Sequence, residues 1–298
     1  MKKTVLLSIL FSAFILSCEK AEVIDPGINN NPDYKVDPEV LFRIGDGTEF
    51  RFNDIELYDS STHILYFKKE QARFGEILNK PFAFLNKGDT IYSGLFWPGY
   101  FSSIPIGPII LSPPNMYGNH ALRIEVWMDD KPDVRNCPEL TGILKEHNLL
   151  HSGLDGHIDS IEISDTLITF RFTVINRDVT DLLILDINKT GPNLFHYFTN
   201  GLYLRRPTHE NAFSGTIPHQ KPDPWNSWKP EWLSLLKSGD SVSFVIEYPV
   251  ETPVGQGEYH AIFEFPGLAY QVTKAQLLQG KNRIWLGDIT LRKNVVIH

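Results

Sequence analysis

The chain has 298 residues, 42% of them hydrophobic and 21% charged, a balance that excludes disorder, collagen or a coiled coil as a description of the whole. Its 12% aromatics, 21 Gly and 20 Pro favour short strands and frequent turns over a helical bundle, and the length accommodates one large domain or two ordinary ones. A formal net charge of −8 argues against nucleic acid as a partner, because affinity for a phosphate backbone comes mainly from Lys and Arg displacing counterions.

Lys2 and Lys3 precede the apolar run Val5 to Leu16. That run falls short of the roughly 20 residues that span a bilayer and leads directly into Ser17-Cys18, so residues 1–17 read as a signal peptide. Ile15-Leu16-Ser17-Cys18 resembles the bacterial lipobox, in which a small residue precedes a lipidated cysteine. The resemblance implies acylation of Cys18, cleavage before it, and attachment to the outer membrane through lipid, facing the periplasm or the outside. Glu19, Lys20 and Glu22 resemble the surface-export tag of Bacteroidetes-type lipoproteins, and read equally well as solvated linker. With Cys18 taken by lipid, Cys137 has no intrachain partner and a disulfide framework is excluded. Residues 18–38, with Asp25-Pro26-Gly27 and Asn29 to Pro32, have little to bury and read as a flexible tether.

Residues 39–152 form the first expected domain, β-rich with one helix. Phe50-Arg51-Phe52, Ile64 to Phe67 and Pro81 to Leu85 are short apolar runs bounded by turn residues. Asn86-Lys87-Gly88-Asp89 joins Pro81 to Leu85 to Thr90-Ile91-Tyr92 as a hairpin, Gly88 supplying the positive φ that the loop needs. Trp97 to Pro114 carries five prolines, which deny ladder hydrogen bonds and predict an irregular loop or an edge strand. Leu122 to Val126 alternates again. Leu140, Ile143, Leu144 and His147 then fall at helical spacing, with Gly153 as the expected stop.

Residues 153–298 form the second expected domain. In Leu167 to Ile175 the residues Ile168, Phe170, Phe172 and Val174 share one face of a strand. The same period returns in Val242, Phe244, Ile246 and Tyr248, and in Tyr259, Ala261, Phe263 and Phe265. Together with Ile158 to Ile163, Leu182 to Leu185, Leu202 to Leu204 and Arg283 to Leu291, these predict an antiparallel sandwich of about seven strands. Phe172-Thr173-Val174-Ile175-Asn176, Leu236-Lys237-Ser238-Gly239-Asp240-Ser241-Val242 and Gly257-Glu258-Tyr259-His260-Ala261 resemble phrases of bacterial immunoglobulin-like and fibronectin-like modules. In those modules the Gly-Asp or Gly-Glu step is a turn and the Tyr ties a corner of the sandwich. The antibody-type Cys pair is missing, so the resemblance implies architecture and carries no binding residues. The whole is similar to Bacteroidetes-type lipoproteins, which again implies location and build.

His147, His151, Asp155 and His157 make the densest run of metal-ligand types. His147 and His151 are four apart and on a helix would share a face, able to reach one Zn²⁺ through imidazole nitrogen. The Glu that follows the first His in zinc-protease helices is missing, and histidines in a last helical turn also serve the helix dipole. Cys137 lies at the expected helix start without a nucleophile's orienting partners, and reads as structural. No Gly-x-Ser-x-Gly elbow, phosphate loop or dinucleotide fingerprint occurs, and no cofactor is expected.

Trp97, Tyr100 and Phe101 in the proline-rich loop are the candidate ligand-binding residues, since flat rings on sandwich loops stack on sugar faces or anchor protein partners. Trp225, Trp228, Trp232 and Leu235 recur at spacings of 3, 4 and 3, the apolar stripe of a short amphipathic helix packed on the sheet. Gly191 to Leu204 reads as a strand crossover with alternate aromatics buried, or as a polar-aromatic pocket wall. Asp89-Thr90-Ile91, Asp159-Ser160-Ile161, Asp165-Thr166-Leu167 and Asp240-Ser241-Val242 resemble the O-glycosylation acceptor of that bacterial group, and are also what a turn entering a strand produces. The function expected is a non-enzymatic binding or assembly module with a glycan or protein ligand. The alternatives are a metal-assisted or carboxylate-based hydrolase, and a protease inhibitor or adhesin.

Overall fold

In a computed structural model of the protein, the described residues are 37–127, 133–215 and 217–297. The expected leader, Cys18 and the tether as far as residue 36 lie outside them. Among the described residues no helix is long and apolar enough to cross a membrane.

The fold is mainly β, as the strand patterns predict. Its first part contains β1 (Val40–Ile44), β2 (Glu49–Arg51), β3 (Ile55–Asp59), β4 (Ile64–Phe67), β5 (Pro81–Asn86), β6 (Asp89–Trp97), β7 (Ile109–Leu111) and β8 (Ala121–Arg123). Helix α1 (Pro138–Glu146) and β9 (Leu150–His151) complete it. One sheet has the order β2-β1-β5-β6-β7 and a second the order β8-β4-β3-β9. Between them lies a core of phenylalanines, in which Phe50 and Phe67 have ring centroids 4.7 Å apart and Phe67 and Phe74 4.8 Å. The β5–β6 hairpin closes on the pair Asn86 and Asp89, leaving Lys87 and Gly88 as a two-residue loop. Both have positive φ, 51° and 92°, the type I′ geometry that matches strand twist. β7 is the last strand of its sheet, flanked by prolines, and on its outer side Ile109 exchanges two backbone hydrogen bonds with Glu125 just after β8.

Cys137 is the N-cap of α1 and Pro138 its first residue, where a missing N–H costs nothing. Leu140, Ile143 and Leu144 face the core. The helix stops at Asn148 and not at Gly153: Asn148 takes φ 54°, its N–H donates to Lys145 O, and the Leu149 N–H donates to Leu144 O. These two bonds form a Schellman motif, in which Asn fills the left-handed position more commonly held by Gly.

The second part begins with β10 (Leu154–Ile163), β11 (Leu167–Asn176) and β12 (Leu182–Leu185), followed by the short helices α2 (Ile187–Thr190) and α3 (Pro192–Phe195). It continues through β13 (Leu202–Arg205), β14 (Asn211–Ser214), β15 (Leu233–Leu236), β16 (Ser241–Pro249) and β17 (Gly257–Pro266). The last strands are β18 (Leu278–Gln279), β19 (Asn282–Ile284) and β20 (Asp288–Ile297). Sheet β10-β11-β16 packs on sheet β14-β13-β17-β20, so that the second part holds a sandwich of two antiparallel sheets. Phe172 of one sheet meets Phe263 of the other at 4.8 Å between ring centroids. The Tyr259 hydroxyl, near the start of β17, donates to Gly255 O at 2.7 Å and forms a tyrosine corner.

A third sheet, β15-β12-β19-β18, was not anticipated. It arises because the expected strand Arg283 to Leu291 breaks at Gly287, φ 95°, into β19 and β20, which pair with different neighbours. The expected tryptophan helix is also replaced: Pro230–Trp232 is a single 3-10 turn and Leu233–Leu236 is β15. Pro222, Pro224 and Pro230 lack the N–H groups that a helix ladder would use there. The crossover expected at Gly191 to Leu204 is helical where α3 lies, burying the neighbours Phe195 and His196 in place of alternate residues.

The two parts share buried surface. Leu57, Ile64, Tyr66, Tyr117 and Ala121 belong to the same hydrophobic cluster as the sandwich core.

Candidate functional site

The histidine run separates when the chain folds. His147 caps α1, with its ring flat on Phe52 at 3.6 Å between centroids and 1° between planes. His151 lies in β9, beyond the reversal at Asn148, so the two do not share a helix face. Asp155 pairs with Arg177 at 3.3 Å, and the exposed His157 pairs with Asp159 at 3.0 Å. Among the described residues no group of three or more His, Cys, Asp or Glu side chains is placed to hold a metal ion. Cys137 is buried in the first core at the helix cap.

His151 instead enters a buried charge network joining the two parts of the fold. Its Nδ1–H donates to Asp178 Oδ1 at 2.8 Å, and the Arg283 guanidinium donates to Asp178 Oδ2 at 3.1 Å and to Asp59 Oδ2 at 2.8 Å. Both carboxylates are fully buried and Arg283 nearly so. The Arg283 guanidinium also lies over the Tyr66 ring, 5.5 Å from its centroid. Burial alone would raise the Asp178 pKa, but the His151 hydrogen bond and the charges of Arg283 and His151 hold it well below the usual carboxylate range. Gly153, φ 63°, lets the chain pass here, since a Cβ would sit 2.2 Å from Asp59 Oδ1.

Beside this network a polar cleft of about 320 Å³ opens between the parts, lined in part by His63, Arg123, Arg135, Asp155, Asp288 and Thr290. Arg123 grips both Asp288 oxygens and Arg135 both Asp133 oxygens, so the cations are already neutralised. Burial and the neighbouring Arg135 charge push His63 down to about 3, leaving a neutral imidazole that hydrogen-bonds the Tyr58 hydroxyl at 2.9 Å. Such a group is not a general acid near neutral pH.

The aromatic loop holds the rings that its sequence predicts, at different depths. Trp97, the last residue of β6, is half-buried and supports Phe101 edge-on at 5.5 Å. Tyr100 is 65% exposed and meets Phe101 at 5.3 Å, again edge-on. A turn fixes them: the Phe101 N–H donates to Pro98 O at 3.1 Å and the Gly99 N–H to Pro113 O at 3.1 Å. Ile104 and Ile106 on the same loop are 70% and 80% exposed, a signal that attention to aromatics alone passes over. Phe101 adds a further 42% exposed ring, so this single loop presents four large apolar side chains to solvent.

The second tryptophan group divides. Trp228 and Trp232 pack against the sandwich core, whereas Trp225 is exposed and rests on Tyr270 at 5.4 Å. The Tyr197 hydroxyl donates to Trp225 O at 3.0 Å, which ties this corner to α3.

Compared with known protein families and with curated proteins, the chain matches no family model and no curated sequence.

Proposed function

We propose that the chain is a non-enzymatic binding or assembly module of the cell envelope, anchored at the outer membrane by lipid on Cys18 and engaging a protein partner through its Tyr100 loop. The observation that carries the reading is the exposure of Tyr100, Phe101, Ile104 and Ile106 on one proline-braced loop. Aromatic and aliphatic side chains together suit the desolvated centre of a protein interface better than a sugar, whose hydroxyls need polar groups beside each ring. The bracing by Pro98 and Pro113 lowers the ordering cost of binding. The Lys2-Lys3 start, the apolar run to Leu16 and the lipobox-like Leu16-Ser17-Cys18 support the anchor.

Cys18→Ala is expected to move the protein from the detergent-extracted membrane fraction to the soluble fraction and to leave residues 1–17 attached, read by fractionation and intact mass. Normal processing and membrane retention of that variant would remove the anchor. For the loop, a quantitative cross-linking pull-down from envelope extracts should lose roughly thirtyfold in capture of the partner with Tyr100→Ala and Phe101→Ala combined, the size expected of a central anchor. Full capture by that double variant excludes the loop. Loss of binding to a soluble oligosaccharide on a glycan array with Tyr100→Ala would reassign the ligand to sugars.

A further inference from the structure

β16 is the outer strand of the sheet β10-β11-β16, and its nine paired residues run along β11 without a register shift. Ladder hydrogen bonds alternate along an antiparallel strand. At one end of the ladder the Val250 N–H donates to Thr166 O, and at the other the Asn176 N–H donates to Asp240 O. The even-numbered residues between them therefore bond to β11. It follows that the peptide groups of Val245 and Glu247 point away from the sheet, and among the described residues no backbone group pairs with them.

The opposite edge of this sheet is protected. β10 carries a bulge between Ile158 and Ser160, and Lys293 Nζ donates to the carbonyls of Ile158 and Asp159. Bulges, lysines and prolines are how natural sheets blunt their edges; β16 has no bulge or lysine, and its one proline, Pro249, is its last residue, beyond Val245 and Glu247.

Val245 and Glu247 line a groove of about 650 Å³ together with Ile187, Pro192, Ile217 and Pro218. Glu247 is exposed and in no ion pair among the described residues, and the exposed Asp165 and Glu251 flank the same end of the strand. The groove thus carries one carboxylate, Glu247, among mainly apolar lining residues.

We infer that β16 is a strand-addition site for an extended segment of a partner polypeptide, with apolar residues at alternate positions and a lysine or arginine beside Glu247. Main-chain hydrogen bonds to Val245 and Glu247 supply affinity, and the apolar lining and the carboxylate supply selection. The site is separate from the Tyr100 loop, and the two can fail independently.

The test uses the whole protein and a capped heptapeptide, Thr-Val-Lys-Val-Thr-Val-Lys, against its counterpart with both lysines replaced by glutamate. In amide hydrogen exchange the lysine peptide should protect the Val245 and Glu247 N–H groups, and bind about tenfold more tightly than the glutamate peptide, the worth of roughly one charge-assisted contact. Glu247→Lys, on a solvent-facing position, should reverse that preference. Val245→Pro removes an outward N–H that the ladder does not use, and should weaken binding about tenfold. Tyr100→Ala should change nothing. Absence of protection at millimolar lysine peptide, an unchanged preference in Glu247→Lys, or protection that grows with protein concentration without peptide would each overturn the proposal, the last because it marks self-association at this edge.

Discussion

Arg283→Met is expected to cost about 3–5 kcal/mol of folding stability, the scale for removing one partner from a buried charge pair. Asp59 and Asp178 are both fully buried, and the guanidinium supplies hydrogen bonds of 2.8 Å and 3.1 Å to them. Methionine fills the space of the arginine stem but leaves two carboxylates with reduced compensation. Asp59 keeps the Ser61 N–H and hydroxyl, and Asp178 keeps His151 and the Thr180 N–H, so neither is stripped bare. The loss should appear in urea denaturation followed by tryptophan fluorescence, to which the buried Trp285, whose Nε1–H donates to Ser61 Oγ at 3.3 Å, contributes from beside the network. Adding Asp59→Asn and Asp178→Asn to Arg283→Met should recover most of it, because the charges left behind are the main penalty. A cost below about 1 kcal/mol, the level of an exposed pair, would mean that water reaches the network.

The same network contributes to the acid limit of the fold. The Asp178 pKa is depressed in the folded state, so its contribution is complete above the unfolded value, near 4, and is lost as pH falls through the lower folded value. Stability from this source is therefore flat from neutrality to about pH 5 and declines in stronger acid. Asp178→Asn should lower the neutral plateau and flatten that decline in the same series of urea curves. An acid limb as steep as that of the unaltered protein would place the titration elsewhere.

Much of the sandwich was legible in the sequence because one buried face writes itself as a period of two. Ile168, Phe170, Phe172 and Val174 are buried as predicted, as are Phe244, Ile246 and Tyr248. The hairpin at Lys87-Gly88 was legible because its turn demands particular residues. The tryptophan stripe misled because spacing was read without its prolines, whose missing N–H groups outweigh an apolar period. The charge network was invisible for a different reason. Asp59, Asp178 and Arg283 are brought together by tertiary contact alone, and nothing local distinguishes them from other charged residues near turns. The groove at β16 was equally hidden, since whether an edge is covered depends on which strands become neighbours. The Tyr100 loop lies between these cases: its prolines foretold irregular chain, and the exposure of Ile104 and Ile106 required the fold.

Phe172→Ala should cost about 3–5 kcal/mol, the range for truncating a fully buried phenylalanine. Its ring is central to the sandwich, with centroids 5.1 Å from Phe170, 5.4 Å from Phe244, 4.8 Å from Phe263 and 6.0 Å from Phe265. Those neighbours come from both sheets, so relaxation on one side cannot fill the space without opening the other. Its backbone is paired on both sides, to Ile158 and to Phe244, which prevents β11 from shifting to compensate. Phe172→Leu keeps most of the volume and should cost less than half as much, about 1.5 kcal/mol. Urea denaturation of the two variants gives the comparison directly. Equal costs for Ala and Leu would mean that ring contacts, and not the cavity, carry the energy. Because Tyr100 and Phe101 sit on the loop after β6, beyond this core, partner capture by Phe172→Ala measured below its unfolding temperature should match that of the unaltered protein. Loss of capture in the folded variant would show that the loop depends on the sandwich for its shape, a coupling for which the shared cluster of Leu57, Ile64 and Tyr66 provides the path.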